Sequence, residues 1–160
     1  MLLDEKTYLF NPFNLKQITD EAISQQIDEL AKRYIPEPAT PYDTGHNIEL
    51  AANLLYLYGE MIARLTERHQ IKKIDNNKSE SLYTFQLRRD WSRNNTEKAP
   101  AISYFEALAL EKYQISRNEE IKYLADLTRL KYAYDSLESK MNAWKKQLEA
   151  MKYEIGVANG

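Results

Sequence analysis

From Tyr123 to Ile155 an apolar residue falls at every third or fourth position: Tyr123, Leu127, Leu130, Tyr134, Leu137, Met141, Trp144, Leu148, Met151 and Ile155. The alternating 4-3 spacing is a seven-residue repeat and predicts a helix with one seam turned to a partner helix. Charged residues such as Lys131, Asp135, Glu138, Lys145 and Glu149 fall off that seam. A second series, Ala51, Leu54, Leu55, Tyr58, Met61, Ile62 and Leu65, predicts another long helix, capped by Thr44 or Asn47. Asp75-Asn76-Asn77-Lys78-Ser79 holds weak helix formers, so a loop or kink is expected there. The period resumes at Leu82, Phe85 and Leu87 and ends in Arg93-Asn94-Asn95-Thr96.

Pro100 then opens a third helix from about Ser103 to Ile155, weakest at Ser116-Arg117-Asn118. Ahead of these, Thr19-Asp20-Glu21 caps a short helix through Ile23, Ile27, Leu30 and Tyr34. Residues 1–17 read as an extended arm, and Pro36, Pro38 and Pro41 make residues 35–46 a stiff linker. The expected fold is therefore all-α, a short N-terminal helix followed by a long antiparallel helical hairpin with coiled-coil seams. Its division is an N-terminal arm, helix and linker over 1–46 and a hairpin domain over 47–160. The seam is longer than the facing helix covers, which predicts self-association through Tyr134, Leu137, Met141, Trp144, Leu148 and Met151. An intrachain hairpin that hides the seam is the alternative.

Composition changes this picture mainly by exclusion. Four glycines cannot build a phosphate-binding loop, and no cysteine is present for disulfides, thiolate metal sites or thiol nucleophiles. His46 and His69 have no second His or Cys at ligand spacing. Asp75, Asn77 and Ser79 start like a calcium loop, but Glu80 and Gln86 stand where its glycine and bidentate glutamate are needed. No catalytic residue, metal site or cofactor is expected, and the chain is not expected to be an enzyme. No apolar run reaches the roughly 20 residues of a membrane span, and no signal peptide is recognised. The expectation is a soluble cytoplasmic protein with no membrane partner.

Charge is unevenly spread behind a net of −2. Residues 1–60 carry 4 basic and 10 acidic side chains, and residues 61–100 carry 9 and 5. That basic block holds Arg64, Arg68, Lys72, Lys73, Arg88, Arg89 and Arg93, bracketed by Tyr56, Tyr58, Tyr83, Phe85 and Trp91. Cations interleaved with aromatics suit single-stranded nucleic acid, where phosphates pair and bases stack. Arg88, Arg89, Arg93, Lys72, Lys73 and Arg68 are the candidate phosphate contacts, and Trp91 the candidate stacking ring. The competing reading of the aromatics is packing between helices, favoured at Tyr58 and Tyr134 and evenly balanced at Trp91.

Ala51-Ala52-Asn53, then Leu57-Tyr58, then Arg88 with Asp90-Trp91-Ser92, resembles the UvsY-type recombination mediators of tailed bacteriophages. The likeness covers roughly residues 50–150. It implies an all-helical, ring-like homo-oligomer in the host cytoplasm. Such a protein binds single-stranded DNA and helps a RecA-like recombinase displace the single-strand-binding protein. The family's DNA-contacting Lys and Arg fall on Gln86 and Arg88, with Arg89 beside them as a replacement cation. A structural or adaptor role in phage assembly or defence inhibition, through protein contacts alone, is the alternative class. The acidic first third speaks for it.

Overall fold

The computed structural model describes residues 18–158, and all of its regular structure is helical. The arm expected over 1–17 lies outside the described residues. The helices are α1 (Asp20–Ala31), α2 (Pro41–Asn94), α3 (Ile102–Lys112) and α4 (Gln114–Ala158). By packing, the described chain forms two units, residues 18–62 with 130–158, and residues 63–129.

In the first unit, α1 begins as expected: the Thr19 hydroxyl accepts from the Ala22 N–H at 3.2 Å, with Asp20 and Glu21 in the first turn. Both features satisfy the positive, donor-rich end of a helix. Ile23 and Ile27, one turn apart, pack with Leu54 and Leu57 of α2, and Leu30, Tyr34, Tyr58, Met61 and Leu137 surround them. Burying four such side chains contributes on the order of 2 kcal/mol each.

The start of α2 departs from expectation. It begins at Pro41 rather than at Asn47. Thr40 and Asp43 form a reciprocal cap: the Thr40 hydroxyl accepts from the Asp43 N–H at 3.1 Å and the Asp43 carboxylate from the Thr40 N–H at 3.2 Å. Pro41 thus stands at the first helical position, where its fixed φ and missing N–H suit a helix. Asn47 does a different task. Fully buried, it accepts from the Ile35 N–H at 3.0 Å and donates to the Ile35 carbonyl at 2.8 Å, fastening the proline-rich connection onto α2.

Within this unit α2 and α4 run antiparallel. Thr44 meets the Met151 sulfur at 3.7 Å, and fifteen residues along α2 the Tyr134 ring lies over Gly59. The Tyr34 and Trp144 rings stand 5.4 Å apart. The Tyr34 hydroxyl is enclosed and has no hydrogen-bond partner among the described residues. Burial, then the neighbouring Tyr58, pushes its pKa from 10.0 up to about 12. The raised value favours the protonated fold, so this contribution is complete below pH 10 and is lost as pH rises toward 12. Tyr34→Phe is expected to be no less stable at neutral pH, since it deletes an unpaired buried hydroxyl. In thermal melts followed by circular dichroism it should also lose less stability than the parent above pH 10.

In the second unit, two expected boundaries move. No loop interrupts α2 at Asp75–Ser79: the helix is continuous to Asn94. Asn76 is 2% exposed, and its side-chain hydrogen bonds to α4 hold a poor helix former in place. The third helix, expected to be unbroken, divides at Tyr113. Ser116 and Arg117, expected at its weakest point, lie inside α4 and bond to α2.

Candidate nucleic-acid interface

All seven side chains proposed for nucleic-acid contact lie on α2, in the second unit. The helix does not bring them together. From Lys72 to Arg88 is sixteen residues, roughly 24 Å along the axis, so they form two groups.

The first group is largely engaged inside the chain. Lys72 is 2.5 Å from the Glu119 carboxylate, and that hydrogen bond foremost raises its pKa above the ordinary lysine value. Arg68 also has a partner. Lys73, one position on, is exposed.

The second group is open. Arg88, Arg89 and Arg93 are all exposed within the last two turns of α2. Arg89 has Asp90 at 3.6 Å, but both side chains are about half exposed, and such a pair is weak. Arg93 sits at the carbonyl end of the helix, where a cation is favoured. Asn95 closes that end, its backbone N–H and side-chain amide both donating to the Trp91 carbonyl at 3.0 and 3.2 Å. Arg88 borders a shallow groove of about 470 Å³ between α2 and α3, shared with Phe85, Ile102, Glu106 and Leu110.

Trp91 points the other way, into the packing. Its ring meets Phe105 edge-on at 6.3 Å, and its Nε1 is enclosed without a hydrogen-bond partner among the described residues. Phe105 is 2% exposed and, with Ala109, makes the buried face of α3. Tyr83 is likewise covered, by the Tyr113 ring at 6.2 Å and by Lys112, whose ammonium stands 3.7 Å from the ring centre.

The six side chains expected to join copies of the chain, Tyr134, Leu137, Met141, Trp144, Leu148 and Met151, are half-buried by their own chain. Four of them have the α1, α2 and Tyr34 contacts described above.

Sequence reasoning missed a polar clasp in the second unit. Arg117 of α4 donates through Nε and Nη2 to the two Glu80 oxygens, both at 2.6 Å, and through Nη1 to Glu120 at 2.7 Å. Nη2 also reaches the Asn77 carbonyl oxygen at 2.8 Å. Asn76 donates to Glu120 at 2.8 Å and accepts from the Ser116 hydroxyl. Its signal was present as two polar interruptions, at 75–79 and 116–118, about equally far from the turn near residue 97. In an antiparallel pair such interruptions face each other.

Among the described residues no group of three or more His, Asp or Glu side chains is placed to hold a metal ion, and no helix is long and apolar enough to cross a membrane. Comparison with protein-family models, curated proteins and solved structures finds no match.

Proposed function

We propose that this chain is a single-stranded DNA-binding recombination mediator, without an enzyme activity of its own, that helps load a RecA-like recombinase onto strands held by a single-strand-binding protein. In this reading it works in the cytoplasm, that of the host if phage-encoded, as a homo-oligomer. The observation that carries the reading is the separation of charge between the packing units. Residues 63–129 hold 13 basic and 10 acidic side chains, and residues 18–62 with 130–158 hold 7 and 12. A polyanion is drawn to the first set and repelled by the second. Arg88, Arg89 and Arg93 carry the contact, and Lys73 extends it along α2. Trp91 supports the helix end that presents them. Lys72 and Arg68 join only by leaving their present partners.

Each cation that meets a phosphate releases a counterion, so log affinity falls with log salt by about 0.7 per contact on a single strand. Arg88→Ala with Arg89→Ala is expected to weaken binding to a single-stranded oligonucleotide and flatten that slope by roughly 1.4. Helicity should be unchanged, because both side chains are exposed. Fluorescence anisotropy across a salt series measures it. Parent-like affinity and slope in the double variant would remove this site.

The adaptor reading has its own observation. Ile71, Ile74, Leu82, Phe85, Ile102, Leu110, Ile115, Ile121 and Leu124 of the second unit are each about half or more exposed, a concentration that marks protein contact. A parent chain that binds neither single- nor double-stranded DNA at low salt would leave that reading in place.

A further inference from the structure

One face of α2 in the second unit carries large apolar side chains into solvent: Ile71, Ile74, Leu82 and Phe85, exposed by 53, 64, 54 and 65%. On a 3.6-residue turn these four lie within about 80° of arc. The buried Asn76 and Thr84 and the half-buried Tyr83 and Leu87 occupy the opposite side of the helix, toward α3 and α4. This part of α2 is therefore apolar on two faces, and the described residues of its own chain cover only one. A helix interior to a packed structure has that pattern, whereas one at a solvent boundary does not.

The order of residues along the open face identifies what covers it. With the charged residues on the same arc included, the stripe is Glu67, Ile71, Ile74, Lys78, Leu82, Phe85 and Arg89. The intervals are 4, 3, 4, 4, 3, 4, the same in both directions, with Lys78 at the centre. Two such stripes laid antiparallel about a two-fold axis at Lys78 place Ile71 against Phe85 and Ile74 against Leu82. Glu67 of each copy then meets Arg89 of the other. We infer that this α2 face is an isologous interface for a second copy of the chain, closed at both ends by Glu67–Arg89 ion pairs.

Apolar residues in the middle with opposite charges at the two ends make the surface self-complementary, which a two-fold contact requires. Lys78 faces its own counterpart, and Asp75, three residues earlier on each helix and near the same arc, supplies the counter-charge. Ile102 and Leu110 of α3, each about half exposed, border the groove beside Phe85 and widen the apolar area. Arg89 keeps only a loose 3.6 Å pair with Asp90, so its guanidinium can turn to the other helix. Arg88 and Arg93 stay outside the stripe. Arg89 is shared with the nucleic-acid reading, which in the dimer rests on Arg88 and Arg93; the two stay distinguishable because the tests of this interface read mass and cross-linking.

Leu82→Glu and Phe85→Glu each place two like charges at symmetric positions of the interface. Both are expected to convert the full-length protein to a monomer in multi-angle light scattering at micromolar concentration. Helicity by circular dichroism should stay at the parent value, since both side chains already face water. Glu67→Arg and Arg89→Glu should each weaken the dimer by about tenfold, from two repulsive contacts per interface. Combined in one chain, they should restore it. The chain has no cysteine, so Lys78→Cys introduces a single thiol. A bis-maleimide with a spacer of about 10 Å, the usual distance between packed helices, should join two Lys78→Cys chains and leave Lys131→Cys chains unjoined. A monomeric parent, an oligomer that persists through Leu82→Glu and Phe85→Glu, or a charge exchange that fails to restore the dimer overturns the assignment.

Discussion

Trp91→Ala is expected to lower stability by about 2–3 kcal/mol, at the low end for a large aromatic because the side chain is partly rather than fully buried. The reason is the place of α3 in the second unit. Eleven residues are too few for a helix to persist alone in water, and the buried side chains of α3 are only Phe105 and Ala109. The edge-on contact from Trp91 to Phe105 is thus a principal attachment of that helix to α2. Removing the indole leaves a cavity beside Phe105, which its neighbours fill only in part. For a chain of this length the thermal midpoint should fall by roughly 5–10 °C. Trp91→Phe should cost less than the alanine variant. It keeps a ring against Phe105 and also removes an enclosed N–H that has no acceptor among the described residues. DNA binding measured well below the midpoint separates packing from stacking. If Trp91→Ala melts with the parent yet binds single strands about tenfold more weakly, the indole stacks on a base and its contact with Phe105 is incidental.

Trp91 also shows how far the sequence could be read. Helix content, the pairing of α2 with α4 and the short α1 were all visible in three-four apolar spacing, because burial along a helix leaves that period behind. Period alone does not say which apolar face the same chain will cover. The series from Tyr134 to Met151 was expected to face another copy, with an intrachain hairpin as the alternative; in the first unit its side chains are half-buried by their own chain. The short α1 was easy to undervalue: its two isoleucines and Tyr34 fill space that the hairpin arms leave open. Conversely, Ile71, Ile74, Leu82 and Phe85 gave no clean heptad, since their intervals reverse about Lys78, and their exposure appeared only with the fold. The interruptions at 75–79 and 116–118 were legible as weak helix. Propensity does not reveal that two weak stretches sit opposite each other and bond. The cations were legible as one basic block, but a linear block does not disclose a separation of roughly 24 Å or the capture of Lys72 by Glu119.

Arg117→Ala should have a comparable effect, about 2–3 kcal/mol at neutral pH, through electrostatics rather than packing. The Arg117 side chain is 26% exposed, and those of Glu80 and Glu120 are 13% exposed. One guanidinium hydrogen bonds to both carboxylates, offsets part of their charge and spans α2 to α4. Alanine leaves two enclosed carboxylates near each other with no cation between them, and desolvation and mutual repulsion then act together. Arg117→Lys should recover only part of the loss, because an ammonium keeps the charge but not the two-pronged hydrogen bonding to Glu80. The pH dependence identifies the cause. In the parent, the Asn76 amide foremost, and then Arg117, hold the Glu120 pKa below its ordinary 4.5 against the opposing effect of burial. A lowered value means stability that is present above pH 4.5 and is lost as pH falls through the folded-state value. Without Arg117 that value rises, so protonation relieves the variant where it harms the parent. The gap in melting temperature should therefore be widest near neutrality and narrow as the pH drops below 4.5. A gap that stays constant across that range would mean that Arg117 acts through its aliphatic stem alone. Asn76→Ala should move the acid limb of the parent profile toward neutral pH even with Arg117 in place, because it removes the largest single interaction that lowers the Glu120 pKa.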